Sequence, residues 1–243
     1  MSIDETQRKL DITQIDAFKH DEFVEDQVRD FSNLALAGVG EGVIVDVGGG
    51  VGYFALSLAT RLKCPVWMID ADPGSVEDAR RHGVNAEVGD ALAPTIRGDG
   101  DVVCFNLILH HLIDSNEAGT RALEVKALNV WRGKAQAVFV NEYIYRSFVG
   151  TASGALIYAI TSNAFLSAIL KYVGKIIPAF RANTFGVGVR FRAREEWVTL
   201  FAEAGYRVVN TQIGAPQPVS LPWRGLLIKT IRRDRFLLEA LPA

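Results

Sequence analysis

Val43-Ile44-Val45-Asp46-Val47-Gly48-Gly49-Gly50-Val51-Gly52 decides the fold. A short β-branched run stops at a cluster of glycines, as a buried parallel strand does when it turns into a helix. Tyr53 to Leu62 reads as that helix. The alternation then continues. Pro65 to Asp70 is a second strand, Asp72-Pro73 opens a helix that Gly83 closes, and Asn85 to Val88 is a third strand ending at Gly89-Asp90. Asp101 to Leu109 is a fourth strand, Glu117 to Trp131 a helix, and Gln136 to Asn141 a fifth strand. Ala193 to Ala204 is a helix, Tyr206 to Ile213 a sixth strand and Gly225 to Ile231 a seventh. Strands alternating with helices of this length predict a mostly parallel sheet covered on both faces, an α/β Rossmann-like fold of seven strands. Ligands of such sheets sit at the carboxyl ends of the strands.

The reading divides the chain into a helical lid (1–38), a core (39–146), an apolar insertion after the fifth strand (147–192) and the rest of the core (193–243). In the lid, Val24, Val28 and Phe31 share one helical face. With 26 basic and 28 acidic residues the net charge is −2, so no basic field exists to hold a nucleic acid. Two cysteines, Cys64 and Cys104, without a C-x-x-C pair exclude a disulfide scaffold and leave no metal site to propose. The N-terminus MSIDETQRKL has no apolar core of a signal, and the expected location is the cytoplasm. Ser147 to Leu170 carries no charge and has the length of a membrane span, but its Ser, Thr and Asn content argues against one. So does its position, because a span there would put two parts of one sheet on opposite sides of a bilayer.

Glycines after the first strand permit a tight turn and close backbone approach by a ligand. The dinucleotide pattern G-x-G-x-x-G would need a third glycine where Tyr53 stands, which disfavours a nicotinamide oxidoreductase, and no Gly-Lys-Ser/Thr follows for a nucleotide triphosphate. The pattern D-x-G-x-G-x-G suits a nucleoside joined to an amino acid without phosphate. Gly48, Gly50 and Gly52 would cradle the amino-acid part, with Asp46 holding loop amides or facing an ammonium. Asp70 ends strand two about 20 residues on, where an acid accepts from ribose hydroxyls. Asp90, followed by Ala91, ends strand three, where a carboxylate can take a hydrogen bond from an adenine amino group.

These residues resemble motif I and the following acids of class I S-adenosylmethionine-dependent methyltransferases, and most closely the small-molecule O-methyltransferases with their D-V-G-G-G-x-G motif. The resemblance covers roughly residues 40–145 and resumes near Glu195-Glu196-Trp197. It implies S-adenosylmethionine as cofactor, with Asn106 near it. It also implies a general base at His110, within Leu109-His110-His111-Leu112-Ile113-Asp114, oriented by Glu142 after strand five. His111 stands beside the base where the family often has Asp, and Asn106 where several relatives carry Lys. The short segment before the glycine motif leaves no room for the N-terminal dimerisation domain of the longer members, which bears on whether the chain forms a homodimer.

The insertion is rich in apolar residues, among them Tyr158 and Phe165, and must be buried against something. It is read as a cap over a pocket for a small apolar or aromatic metabolite, lined by Tyr158 and Phe165, with Tyr143 and Tyr145 on the floor and Phe18, Phe23 and Phe31 closing the far side. The alternatives are a lid that contacts a membrane, or packing on the N-terminal helix or a second subunit. His20 and His82 are read as surface residues, Trp197 as helix–sheet core, and Lys229, Arg232, Arg233 and Arg235 as a solvated strand end. The expected function is methyl transfer, most simply to oxygen. Two rival readings are a non-methylating reaction on the same fold, such as cyclisation, elimination or decarboxylation, and a non-catalytic binding subunit.

Overall fold

The computed structural model describes residues 24–35, 42–94, 100–176 and 187–242. Five strands run parallel: β1 (Ile44–Val47), β2 (Val66–Asp70), β3 (Asn85–Val88), β4 (Gly100–Asn106) and β5 (Ala135–Ser147). With β6 (Tyr206–Gln212) and β7 (Ile228–Ala240) they form one seven-stranded sheet of order β3-β2-β1-β4-β5-β7-β6, in which β7 is antiparallel to both neighbours. The order reverses at β1 and β4, and the glycine loop and the strand ends that follow gather at that switch point.

Strand alternation builds the core on both faces. Val45, Val47, Val103, Phe105, Val138 and Val140 point to one side, against α4 (Glu117–Asn129) and α7 (Arg194–Glu203). Ile44, Met68, Val102, Cys104 and Phe139 point to the other, against α1 (Val24–Ala35), α2 (Tyr53–Leu62) and α3 (Pro73–Arg81). Phe31 of α1 is fully buried there, edge-on to Phe139. The expected cap on α3 forms as read: Asp72 accepts from the Ser75 amide at 2.7 Å and Pro73 takes the first turn. Trp197 is wholly buried, as expected of a core residue.

Two readings of the sequence are corrected. The seventh strand starts at Ile228 and runs to Ala240, and β5 continues to Ser147, because the two pair with each other over nearly their whole length. Of the basic tail cluster, Lys229 is exposed, but Arg233 and Arg235 are 8% and 6% exposed. Arg235 pairs with the buried Asp30 of α1, while Arg232 and Arg194 converge on the fully buried Asp234. A charge-rich strand reads as solvated when its counter-charges come from distant elements.

The uncharged run after β5 folds as two helices, α5 (Ala152–Ser162) and α6 (Ala164–Ile176). The break is Asn163, whose extended backbone ends α5 and whose Oδ1 accepts from the Leu166 amide at 3.0 Å. Among the described residues no helix is long and apolar enough to cross a membrane. A short helix, α8 (Leu221–Arg224), precedes β7. Phe18, Phe23 and His20 lie outside the described residues, as does the part of the cap from residue 177 to 186.

Candidate functional site

The glycine loop leaves β1 with Gly48, Gly50 and Gly52 all at positive φ, conformations that exclude most side chains. The three glycines differ in what surrounds them. A Cβ on Gly48 would meet Ile108, and one on Gly52 would meet Ala79 and Val84, so both serve close packing. Gly50 faces open space, with nothing within 4 Å of a Cβ placed there. Its amide donates to Asp70 Oδ2 at 2.8 Å, and Asp70 Oδ1 accepts from the Asp72 amide at 2.9 Å. Asp70 therefore braces the loop. Burial holds its carboxyl above the usual range, although these amides pull it down.

Asp46 departs from expectation. It takes no loop amide, because Asp70 supplies that acceptor. Its carboxylate is fully buried on the sheet face between the register positions of Met68 and Cys104, and neither oxygen has a hydrogen-bond partner. Burial first, and the nearby Asp70 charge second, push its carboxyl up to about 7. Asp90, 5% exposed at the end of β3, accepts from the Leu92 amide at 2.8 Å, and Ala91 packs against the core beside it.

The second half of the site follows β4. Leu107 adopts a left-handed conformation (φ 61°), rare for a branched side chain and a feature of functional turns. Its amide donates to Asn141 O at 2.9 Å, and Asn141 Nδ2 donates to Asn106 Oδ1 at 2.8 Å. This turn lifts the chain into a short 3₁₀ segment, Leu109–His111, beside the middle of β5. Glu142 there is fully buried and reaches it twice: Oε1 accepts from the Leu109 amide at 2.8 Å, and Oε2 lies 2.6 Å from His110 Nδ1. Burial opposes charge on both partners, pulling the imidazole down and pushing the carboxyl up, so the pair favours its net-neutral state. A carboxylate on Nδ1 fixes the tautomer whose Nε2 carries the free lone pair, the arrangement of an oriented base. His111 stacks obliquely on His110 with ring centroids 4.2 Å apart, and burial lowers its imidazole further.

Aromatic rings surround His110. Phe191 lies 5.0 Å from it and is stacked on Tyr145 at 4.1 Å, while Tyr143 meets both His110 and Phe191 edge-on. Phe191 comes from the segment that returns from the cap, which is tied down by the Arg190 amide donating to His110 O at 3.0 Å. Arg190 and Arg192 on the same segment are buried and paired with Glu117, Glu124 and Glu196. Neither Leu107 nor Phe191 was singled out from the sequence. The alternation Val189-Arg190-Phe191-Arg192 is the signal that marked the latter.

Of the residues expected at the acceptor pocket, Tyr143 stands beside His110. Tyr158 donates its hydroxyl to Asp114 O at 3.1 Å and so fastens α5 to the core. Phe165 is 73% exposed on α6, so among the described residues it lines no enclosed pocket. A cavity of about 490 Å³ along Trp67, Arg80 and Val84–Val88 lies at the β3 edge of the sheet, remote from β5 and Glu142.

Residues 44–126 match the model of the methyltransferase domain family. The fold agrees. A S-adenosylmethionine-dependent methyltransferase from Leishmania major superposes with a TM-score of 0.59 at 16% identity, over 90% of this chain and 74% of that one. The (4+2)-cyclase SpnF gives 0.60 at 14% identity, over 90% and 82%. The mitomycin 7-O-methyltransferase MmcR gives 0.52 at 16% identity, over 90% of this chain but only 54% of that one, so the chain spans about half its length. No curated protein matches the sequence. The chain has the Rossmann-like fold of class I methyltransferases, and the match to the methyltransferase domain supports S-adenosylmethionine as its cofactor. The site fits that molecule: Asp46 has two unmet acceptors suited to a positive charge, Gly50 leaves room where a Cβ would intrude, and Asp70 and Asp90 stand at the next two strand ends.

Proposed function

We propose that the protein transfers a methyl group from S-adenosylmethionine to an oxygen of a small aromatic or apolar metabolite, with His110 as general base. The observation that carries this reading is the buried His110–Glu142 pair, at 2.6 Å, on a turn that packs through Ile108 against Gly48 of the glycine loop. When bound, the cofactor supplies an electrophilic methyl group on a sulfonium with a neutral thioether as leaving group. The protein holds it with the glycine loop, Asp46, Asp70 and Asp90, and Asn106 and Ala91 border the same strand ends. His110 Nε2 takes the proton of the acceptor hydroxyl as the oxygen gains its methyl group. Glu142 holds Nδ1 and stabilises the imidazolium that results. Tyr143 and Phe191 give a flat acceptor an apolar surface beside the base, and exclusion of water there favours an in-line displacement.

The (4+2)-cyclase among the structural neighbours favours a second reading, in which the fold is kept but no methyl group moves. Incubation with S-adenosylmethionine carrying a labelled methyl group and a panel of phenols and hydroxylated polycycles separates the two. Label in the product, lost in His110→Ala, supports methyl transfer. An unlabelled product of unchanged composition, or no heat on titration with S-adenosylhomocysteine, sinks it.

A further inference from the structure

The glycine loop is held from two sides. From the end of β2, Asp70 accepts from the Gly50 amide at 2.8 Å. From the end of α3, His82 Nδ1 lies 3.0 Å from the carbonyl oxygen of Val51, the next residue of the loop. A carbonyl oxygen only accepts, so the proton of this bond sits on Nδ1 and the ring donates. The same ring is stacked on Tyr53, with centroids 5.2 Å apart and planes 19° from parallel. Tyr53 opens α2, at the place where a dinucleotide-binding loop would carry its third glycine. His82 therefore meets both the loop and the first residue of the helix that follows it.

Packing brings it there. Gly52 approaches α3 so closely that a Cβ on it would lie 2.9 Å from Ala79 Cβ, and His82 follows Ala79 by one helical turn. Ala79 is wholly buried, whereas His82 is exposed at the rim, as the sequence led one to expect. An exposed side chain adds little to the core, so what His82 contributes is its bond to the loop. The loop needs such a restraint. Residues 48–52 include four glycines, three of them at positive φ, and glycine has more backbone freedom to lose than any other residue. A ligand binds more tightly to a loop that already has its bound shape. We propose that His82 is a positioning residue of the cofactor site: through its bond to Val51 O it holds the glycine loop in the shape that receives S-adenosylmethionine. The proposal rests on the assignment of this loop to the cofactor.

Two variants separate the donor from the ring. His82→Phe keeps a flat ring for Tyr53 and has no donor. His82→Asn loses the ring and sets an amide nitrogen where Nδ1 stood. In calorimetric titration with S-adenosylhomocysteine, His82→Phe should bind about three- to tenfold more weakly than the unaltered chain, the span of one net hydrogen bond. His82→Asn should bind within about twofold of the unaltered chain. Hydrogen exchange without ligand reads the loop itself: its amides should exchange faster in His82→Phe and at the original rate in His82→Asn. Thermal unfolding reports that each variant is folded. Undiminished affinity and unchanged loop exchange in His82→Phe overturn the proposal. So does equal weakening in both variants, which assigns the effect to the ring stack. Absence of heat with the unaltered chain fails the cofactor assignment instead, and loop exchange then still decides whether His82 holds the loop.

Discussion

Nδ1 of His110 and Oε2 of Glu142 stand 2.6 Å apart in a setting where the carboxylate is wholly buried and the ring 5% exposed. Burial favours the pair without net charge, and the base form of His110 arises only when that pair gives up a proton. The proton that leaves is the one burial keeps on the Glu142 carboxyl, which is pushed up to about 8, while burial pulls the His110 imidazole down. Turnover should therefore rise with pH and level off in the alkaline range. In Glu142→Gln no carboxyl shares the proton and the imidazole stays neutral. The profile should flatten, with kcat lower by about 10²-fold. Initial rates across pH, at saturating cofactor, check both features. A Glu142→Gln profile that keeps the wild-type slope would sink the assignment of the slope to this pair.

Asp46 gives a prediction about stability. Its folded-state carboxyl is raised from an ordinary 3.8 to about 7, so folding favours its protonated form. The stability this contributes is fully present below pH 3.8 and is lost as pH rises through about 7. In urea denaturation, the wild-type chain without cofactor should weaken relative to Asp46→Asn across that window, by up to a few kcal/mol. The same group predicts a proton release. A cation bound against Asp46 favours its ionised form, so S-adenosylmethionine binding near neutral pH should release a fraction of a proton. Calorimetry in buffers of different ionisation enthalpy measures that fraction, and Asp46→Asn should abolish it.

Sequence reading reached the parallel sheet because β1 to β5 are short apolar runs punctuated by glycine and by Asp-Pro, local signals that survive folding. It located His110 just past the end of β4 and Glu142 through the motif it resembles, although β5 continues beyond Glu142 to Ser147. It missed features that depend on partners far away in the chain. Arg233 and Arg235 look solvated until Asp30, some two hundred residues earlier, is folded against them. Phe165 looks like pocket lining because apolar content says that a surface must be covered and not which way it faces. Asp46 looks like a brace for the loop because its distance from the amides is set by the strand's pleat, which turns it beneath Gly49 and leaves the bracing to Asp70.

The glycines of the loop should separate packing from binding. A Cβ on Gly49 would lie 2.5 Å from Asp46 Oδ2 and from Met68 Cγ, so Gly49→Ala should destabilise by about 2 kcal/mol or more through overpacking. A Cβ on Gly50 meets nothing, and Gly50→Ala costs only the left-handed backbone, about 1 kcal/mol. It should nevertheless weaken S-adenosylhomocysteine binding by at least about tenfold, a loss on the order of 1.4 kcal/mol. Thermal unfolding and calorimetry on both variants give the comparison. Equal cofactor affinity in Gly50→Ala would mean that the open space beside Gly50 is not the cofactor's.

The segment that brings Phe191 to His110 is anchored by a buried ion pair, and that anchor sets the last prediction. Arg192 donates to Glu124 through Nε and Nη2, at 2.9 and 2.6 Å, and to Glu117 through Nη1 at 2.7 Å. Arg192 and Glu124 are 1% and 0% exposed, whereas the Glu117 side chain is 46% exposed. Removing one buried partner strands the other charge, so Glu124→Leu should cost roughly 3–5 kcal/mol. Glu117→Gln should cost under about 1 kcal/mol, because water replaces much of what it gives. Replacing both buried partners, Arg192→Met with Glu124→Leu, should recover most of the loss, since neither charge then needs solvation. Arg192 O also accepts from the Tyr145 amide at 3.1 Å, a backbone bond the double variant keeps, so Phe191 should stay in place and turnover should follow stability. Urea denaturation of the wild type, Glu124→Leu, Arg192→Met and the double variant closes the cycle, with Glu117→Gln measured beside it. A double variant as unstable as Glu124→Leu would show that the pair is held for its shape and not for the charge it neutralises.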